Sequence, residues 1–189
     1  MRVTVSAACK AYKRSAKRAD SGCLGLYLCS ALKETTMAFH LTTTAFQDGE
    51  FIPKEFTCDG QDNSPALAWT DPPAGTKTFA VIVDDPDAPA GTWVHWVLYD
   101  LPGDARMLEG DVAKDRQLAD GTRQGRNDFG KIGYNGPCPP KGGPHRYFFK
   151  LFALDRKTNL KAGASKAELE RATKGHILAE AKVVGRFQH

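Results

Sequence analysis

The sequence predicts a mainly β fold, with its helical residues close to the C-terminal end. Three observations point that way. The clearest apolar runs are short and rich in β-branched and aromatic residues. The connections between them are crowded with proline and glycine: DPPAG at 71–75, DPDAPAG at 85–91 and GPCPPKGGP at 136–144. A helix signature appears only after Ser165.

In chain order, Phe39–Phe46 is the first stretch with strand character. Lys77–Val83 (KTFAVIV), Trp93–Asp100 (WVHWVLYD) and Arg146–Leu154 (RYFFKLFAL) follow as strands. Ser165 and Glu168 form a capping box, which starts a helix over Lys166–Lys174 with Gly175 as its stop. Ala167, Leu169 and Ala172 are its expected buried positions. A short helical or mixed element at His176–Ala181 should then run into a last strand, Lys182–Phe187.

Residues 1–36 read differently. They hold seven basic and two acidic residues, whereas the net charge of the whole chain is +4, so the body is close to neutral. That body has no basic stripe with interleaved aromatics, which argues against a nucleic-acid partner. The segment resembles an export signal in outline, but its apolar stretch, Cys23–Leu32, is short and its cleavage site weak. The favoured reading is a disordered tail or a misassigned start, with the natural chain beginning at Met37 and one domain at 37–189. No apolar run approaches the roughly 18 residues that would cross a bilayer. Of five cysteines, Cys9, Cys23 and Cys29 fall in this segment and only Cys58 and Cys138 in the body. The odd number and the lack of C-x-x-C or zinc-type spacing suit a reducing cytoplasm, with one Cys58–Cys138 bridge left open.

Two segments carry chemistry. The first is Asp84-Asp85-Pro86-Asp87, followed by Trp93-Val94-His95-Trp96. Carboxylates interrupted by proline cannot form a helical turn, so they should sit on a rigid loop after the Lys77–Val83 strand. There they can accept backbone N–H bonds or orient a histidine. Strand alternation puts Trp93, His95, Val97 and Tyr99 on one face. A histidine on such a face is partly buried and needs a partner, which a purely structural core histidine would also have. The second segment is Gly136–Tyr147, a glycine-bearing loop feeding a strand on which His145 and Tyr147 share one side and Arg146 takes the other.

D-P-D-A-P with W-x-H, followed by G-x-x-P-P-K-G and H-R-Y, resembles the phosphatidylethanolamine-binding protein family, also called Raf kinase inhibitor-like. FTCDG at 56–60, SPALAW at 64–69, PAGT at 73–76 and NDFG at 127–130 are similar to its bacterial and archaeal branch. The resemblance covers residues 37–187. It implies a Greek-key β-sandwich with short helices toward the C-terminus, and a small cavity at one end that takes phosphate-like anions or a phospholipid head group. Asp85, Asp87, Trp93, His95, Pro139, Pro140, His145 and Tyr147 match the pocket motif, and the Gly136 region would add a backbone N–H. Asp85 would orient a histidine, Tyr147 would offer its hydroxyl, and the peptide before Pro89 would be cis. Arg146 would stay outside and pin the loop through Asp87 or a carbonyl. The resemblance also implies a homodimer, and a kinase or protease as protein partner. The eukaryotic C-terminal helix over the pocket is not evident, so a small open pocket is expected.

The expected function is therefore anion capture without catalysis or cofactor. No Ser or Thr nucleophile with a base stands out; Cys138 is the one candidate nucleophile. The competing reading is a phosphoester hydrolase in which Asp85, Asp87, His95 and His145 act directly or hold a metal, although no H-x-H or H-E-x-x-H spacing supports it.

Overall fold

The computed structural model describes residues 38–189. The readings on residues 1–36, including Cys9, Cys23 and Cys29, lie outside the described residues. The strands are β1 (His40–Thr43), β2 (Leu67–Thr70), β3 (Thr78–Asp85), β4 (Trp93–Pro102), β5 (Met107–Leu108), β6 (Arg123–Gln124), β7 (His145–Leu154) and β8 (Ile177–Phe187). One α-helix, α1 (Lys166–Thr173), and a 3₁₀ turn at Lys54–Phe56 complete the described elements.

The strands form two antiparallel sheets, ordered β1-β2-β5 and β6-β4-β3-β7-β8. After the β3–β4 hairpin the chain travels far before β7 returns to the other side of β3, the long return of a Greek-key fold. The inner core lies between the sheets. Leu41, Leu67 and Trp69 face Phe79, Val81, Val83, Phe149 and Leu151 across it. The opposite face of the large sheet is covered too, where Ala80, Ile82, Val97 and Tyr99 pack with Leu169 of α1. Both faces of β3 are thereby occupied, and all eight of its residues are buried. That explains why its stretch Phe79–Val83 is an unbroken apolar run with no alternation.

The β7 alternation behaves as its sequence predicts: Tyr147, Phe149 and Leu151 point into the core, while Phe148, Lys150 and Phe152 do not. The capping box at Ser165/Glu168 forms in both directions. Gly175 adopts φ +78°, which suits the residue that ends α1.

Three expectations need correction. Leu169 and Thr173 are the buried residues of α1, and Ala167 is exposed, because the helix lies on the sheet along a narrower stripe than predicted. Among the described residues, one short helix rather than several lies toward the C-terminus. Residues 177–181 belong to β8, which pairs with β7 from Leu154↔Ile177 to His145↔Phe187. The partner strand overrides a weak local helical preference there. No helix among the described residues is long and apolar enough to cross a membrane.

Candidate functional site

One end of the large sheet brings the C-terminus of β3 and the N-termini of β4 and β7 together. Asp84 and Asp85 are the last two residues of β3 rather than part of the following loop, and both are buried. Pairing sends them to opposite sides. Asp84 meets Lys150 at 2.9 Å and Lys166 at 2.6 Å on the α1 side. Asp85 accepts from the Asp87 amide at 2.8 Å and from His145 Nδ1 at 2.8 Å.

His95 reaches the same place by an irregularity of the ladder. Asp84 pairs with Val94, and Val83 pairs with Trp96, so His95 is the extra residue of a bulge. This corrects the expected single face for Trp93, His95, Val97 and Tyr99. Beyond the bulge Val97 and Tyr99 turn toward α1, while His95 turns onto Tyr147 and Phe129, with ring centroids 5.2 and 5.3 Å away.

His95 is 2% exposed, and its Nδ1 lies 2.7 Å from the Asn135 carbonyl and 3.1 Å from that of Gly136. Carbonyl and carboxylate oxygens only accept, so Nδ1 carries the hydrogen in both His95 and His145. Nε2 is left as the free nitrogen of each ring. Burial holds the His95 imidazole below its ordinary pKa, against the pull of the loop carbonyls and the Asp85 charge. The ring is therefore neutral near pH 7.

Between the rings lies a cavity of about 340 Å³. Asp85, Trp93, His95, Pro139, Pro140 and His145 line it, together with Phe129, Cys138 and residues 88–90. Six of the nine predicted residues thus share one wall system. Three do not. Asp87 sits outside, where Arg146 binds it through Nε at 2.8 Å, a terminal nitrogen at 2.7 Å and its amide at 3.0 Å. This guanidinium hydrogen bonding lowers the Asp87 carboxyl to about 2. The Gly136 amide is already spent, donating to Asp62 at 2.6 Å. Tyr147 lies behind the cavity, because strand alternation aims it into the core beneath His95. Its hydroxyl sits near Asp85 and the Cys138 backbone without hydrogen-bond geometry to either, and burial pushes its pKa strongly upward, so it stays protonated. No cis peptide occurs among the described residues, so the bond before Pro89 is trans.

A second layer fixes the loop that carries Asn135 and Gly136. Asp62, at φ +59°, also accepts from Asn135 Nδ2 at 3.0 Å and from Lys114 at 2.7 Å. Asn127 bonds Asn135 Oδ1 at 2.9 Å and the Gly133 carbonyl at 3.0 Å. Any Cβ at 136 would collide with the Phe56 carbonyl oxygen, so only glycine fits there. Cys58 and Cys138 form a disulfide that ties the pocket loop to the loop after the 3₁₀ turn. The bridge left open by the cysteine count is thus present in this structure. Asn127 and Phe129 sat in the NDFG motif, but their role gave no signal in sequence; Asp62 acts on residues more than 70 positions away.

A larger hollow of about 570 Å³ runs past Leu101 to Asp120, but its lining holds Asp104, Glu109, Asp111 and Asp120 and no cationic side chain. It would repel an anion. The 340 Å³ cavity offers two imidazoles and is the better site.

Residues 42–188 match the family model described as "Phosphatidylethanolamine-binding protein". The chain belongs to the phosphatidylethanolamine-binding protein family. A UPF0098 protein of Aquifex aeolicus is 51% identical over 146 residues, which span 76% of this chain and 85% of that protein. The Escherichia coli UPF0098 protein YbhB is 43% identical over 155 residues, covering 78% and 98%. Among solved structures, E. coli YbcL, described as a member of the mammalian PEBP family, aligns with TM-score 0.74 at 36% identity over 80% of this chain and 98% of that one. A putative PEBP homolog from Chlamydia trachomatis aligns with TM-score 0.73 at 38% identity, with the same coverage. Members of this PEBP family bind ligands, and the mainly β sandwich of this chain is the fold of these neighbours.

Proposed function

We propose that this protein captures a small phosphate-like anion, such as a phospholipid head group or a phosphorylated residue, in the cavity between His95 and His145. The supporting observation is the matched constraint on the two rings. Each Nδ1 is committed as a donor to the protein, which leaves each Nε2 for a ligand. The neutral ring of His95 can accept a hydrogen from a protonated phosphate, or take up a proton and donate. Asp85 disfavours a fully ionised anion nearby, but its charge is partly spent on His145 and the Asp87 amide. The pocket thus favours an anion that arrives with a proton or draws one in.

A kinase or protease partner would be met through a phosphorylated residue presented to this pocket, and a homodimer is the proposed assembly. A cytoplasmic location is likewise a proposal. Thiol alkylation in intact cells tests it: free Cys58 and Cys138 support that location, and a fully bridged pair opposes it.

Calorimetric titration with inorganic phosphate and with phosphoethanolamine, alongside proton NMR of the two imidazoles, tests the anion reading. Saturable binding that moves the His95 and His145 signals is expected. Absence of binding, or binding that leaves both signals in place, overturns the reading. Turnover of a phosphomonoester that depends on the same histidines would replace it with hydrolysis.

A further inference from the structure

Beside the anion pocket, sharing Cys138 with its lining, lies a second group of chemically capable residues. The sulfurs of Cys58 and Cys138 and an imidazole nitrogen of His189 all lie within 4.8 Å of one another. It is the one group of three or more His, Cys, Asp or Glu side chains among the described residues whose ligand atoms approach so closely. All three residues are exposed, so a reductant and an ion can both reach them.

His189 is held in place. Its ring stands edge-on to Phe187 with centroids 5.7 Å apart, and Phe187 is buried at the end of β8. Its Nδ1 lies 3.1 Å from an Asp59 carboxylate oxygen, so Asp59 stands directly beside the ring. A carboxylate behind a ligating histidine fixes its tautomer and raises its basicity. Asp59 is itself placed by its amide, which donates to Thr57 Oγ1 at 3.2 Å.

We propose that reduction of the Cys58–Cys138 disulfide converts this corner into a two-thiolate, one-imidazole site for a soft divalent ion, Zn²⁺ in particular. In the reduction, a dithiol reductant transfers two electrons and two protons. The S–S bond breaks, two cysteine thiols form, and the reductant leaves as its cyclic disulfide. Zn²⁺ then displaces the two thiol protons and binds two thiolates and the His189 imidazole, with the fourth tetrahedral position left to water. The ion replaces the covalent bridge as the tie between the two loops. Cys138 also lines the anion cavity, so the pocket wall stays anchored in either redox state.

The test uses the full chain with Cys9, Cys23 and Cys29 replaced by serine, which leaves Cys58 and Cys138 as its only thiols. Protein is measured bridged, and again after treatment with dithiothreitol and its removal under nitrogen. Zn²⁺ affinity is read by competition with a chromophoric chelator, and Co²⁺ is used as a spectroscopic probe. Reduced protein should bind one Zn²⁺ at least about 100-fold more tightly than bridged protein. With Co²⁺ it should show sulfur-to-metal charge-transfer absorption and tetrahedral visible bands. His189→Ala should weaken Zn²⁺ binding at least about tenfold, and Asp59→Asn by about tenfold. Equal Zn²⁺ affinity in both redox states overturns the proposal. So does reduced-state binding that His189→Ala leaves unchanged. Circular dichroism of a Cys58→Ser, Cys138→Ser variant tests the bridge-free fold, and its unfolding would also overturn the proposal, because the site requires the native loops.

Discussion

Asp84 and Asp85 are adjacent, identical and equally buried, yet they serve two different regions of the molecule. On the α1 side Asp84 closes an ion triad with Lys150 and Lys166, and each of its oxygens has a cationic partner. On the cavity side Asp85 holds the His145 ring and one amide. The first region uses its charge to fasten helix to sheet. The second uses its charge to aim a ring whose other nitrogen is left over. Strand periodicity alone separates a fastening from a site.

The largest effect should come from breaking the fastening. Asp84→Ala leaves Lys150 facing Lys166 without their shared counter-ion, with only Glu170 still 3.8 Å from Lys166. Removing one partner of a buried ion pair costs several kcal/mol, but these lysines are partly exposed and can turn toward water, so the expected loss is about 3 kcal/mol. Urea denaturation measures it. Phosphate affinity of the folded variant should stay within about twofold. A parallel loss of affinity would show that the two regions are one unit.

Asp85→Ala should do the reverse. It removes a negative charge near the anion, which by itself favours binding. It also frees the His145 ring and strands the Asp87 amide. Orientation should prevail, because two Nε2 atoms must meet one ligand, and affinity should fall about tenfold, or about 1.4 kcal/mol. Calorimetry on the same phosphate titration decides it; a gain in affinity would mean that charge outweighs aim.

Protonation sharpens the contrast next. His95 has its pKa lowered by burial, so below the unfolded value of about 6.5 the unfolded chain takes up the proton first. Stability from this group is full above about pH 6.5 and declines as pH falls toward the folded value. Anion binding should run oppositely and tighten by up to about tenfold per pH unit for each proton taken up. Sulfate carries no titrating proton in this range, unlike phosphate. Its affinity between pH 8 and 6 therefore isolates uptake by the protein. A flat sulfate profile would remove the proton-coupled part of the reading.

Much of this contrast was legible in the sequence. KTFAVIV, WVHWVLYD and RYFFKLFAL all became strands within two residues of their predicted ends, because side-chain period and loop composition agree there. Asp85, His95 and His145 converge as their motifs suggest. What sequence could not supply was the bulge at His95, which depends on pairing with Val83 and Asp84 rather than on any local signal. The prior commitment of the Gly136 amide to Asp62 was equally hidden, since a φ of +59° at an aspartate leaves no mark in composition. Tyr147 shows the same limit: its face was predictable, but whether that face met cavity or core depended on the opposite sheet.

The smallest effect belongs to Asp87, one of the three predicted site residues that the fold keeps out of the cavity lining. Its carboxyl, lowered to about 2 by Arg146, adds stability above its ordinary value near 3.8, which is lost as pH falls through about 2. Arg146 is exposed and Asp87 half-buried, and a pair so close to solvent contributes little to stability. Asp87→Asn should keep one acceptor for the Arg146 amide and lose only the bidentate charge contact. Thermal unfolding at neutral pH should shift by a few degrees or less, and phosphate affinity should change less than about threefold, through looser placement of residues 88–90. A loss as large as that of Asp85→Ala would move Asp87 back into the site, and would mean that the loop it pins sets the aim of the pocket as firmly as the strand does.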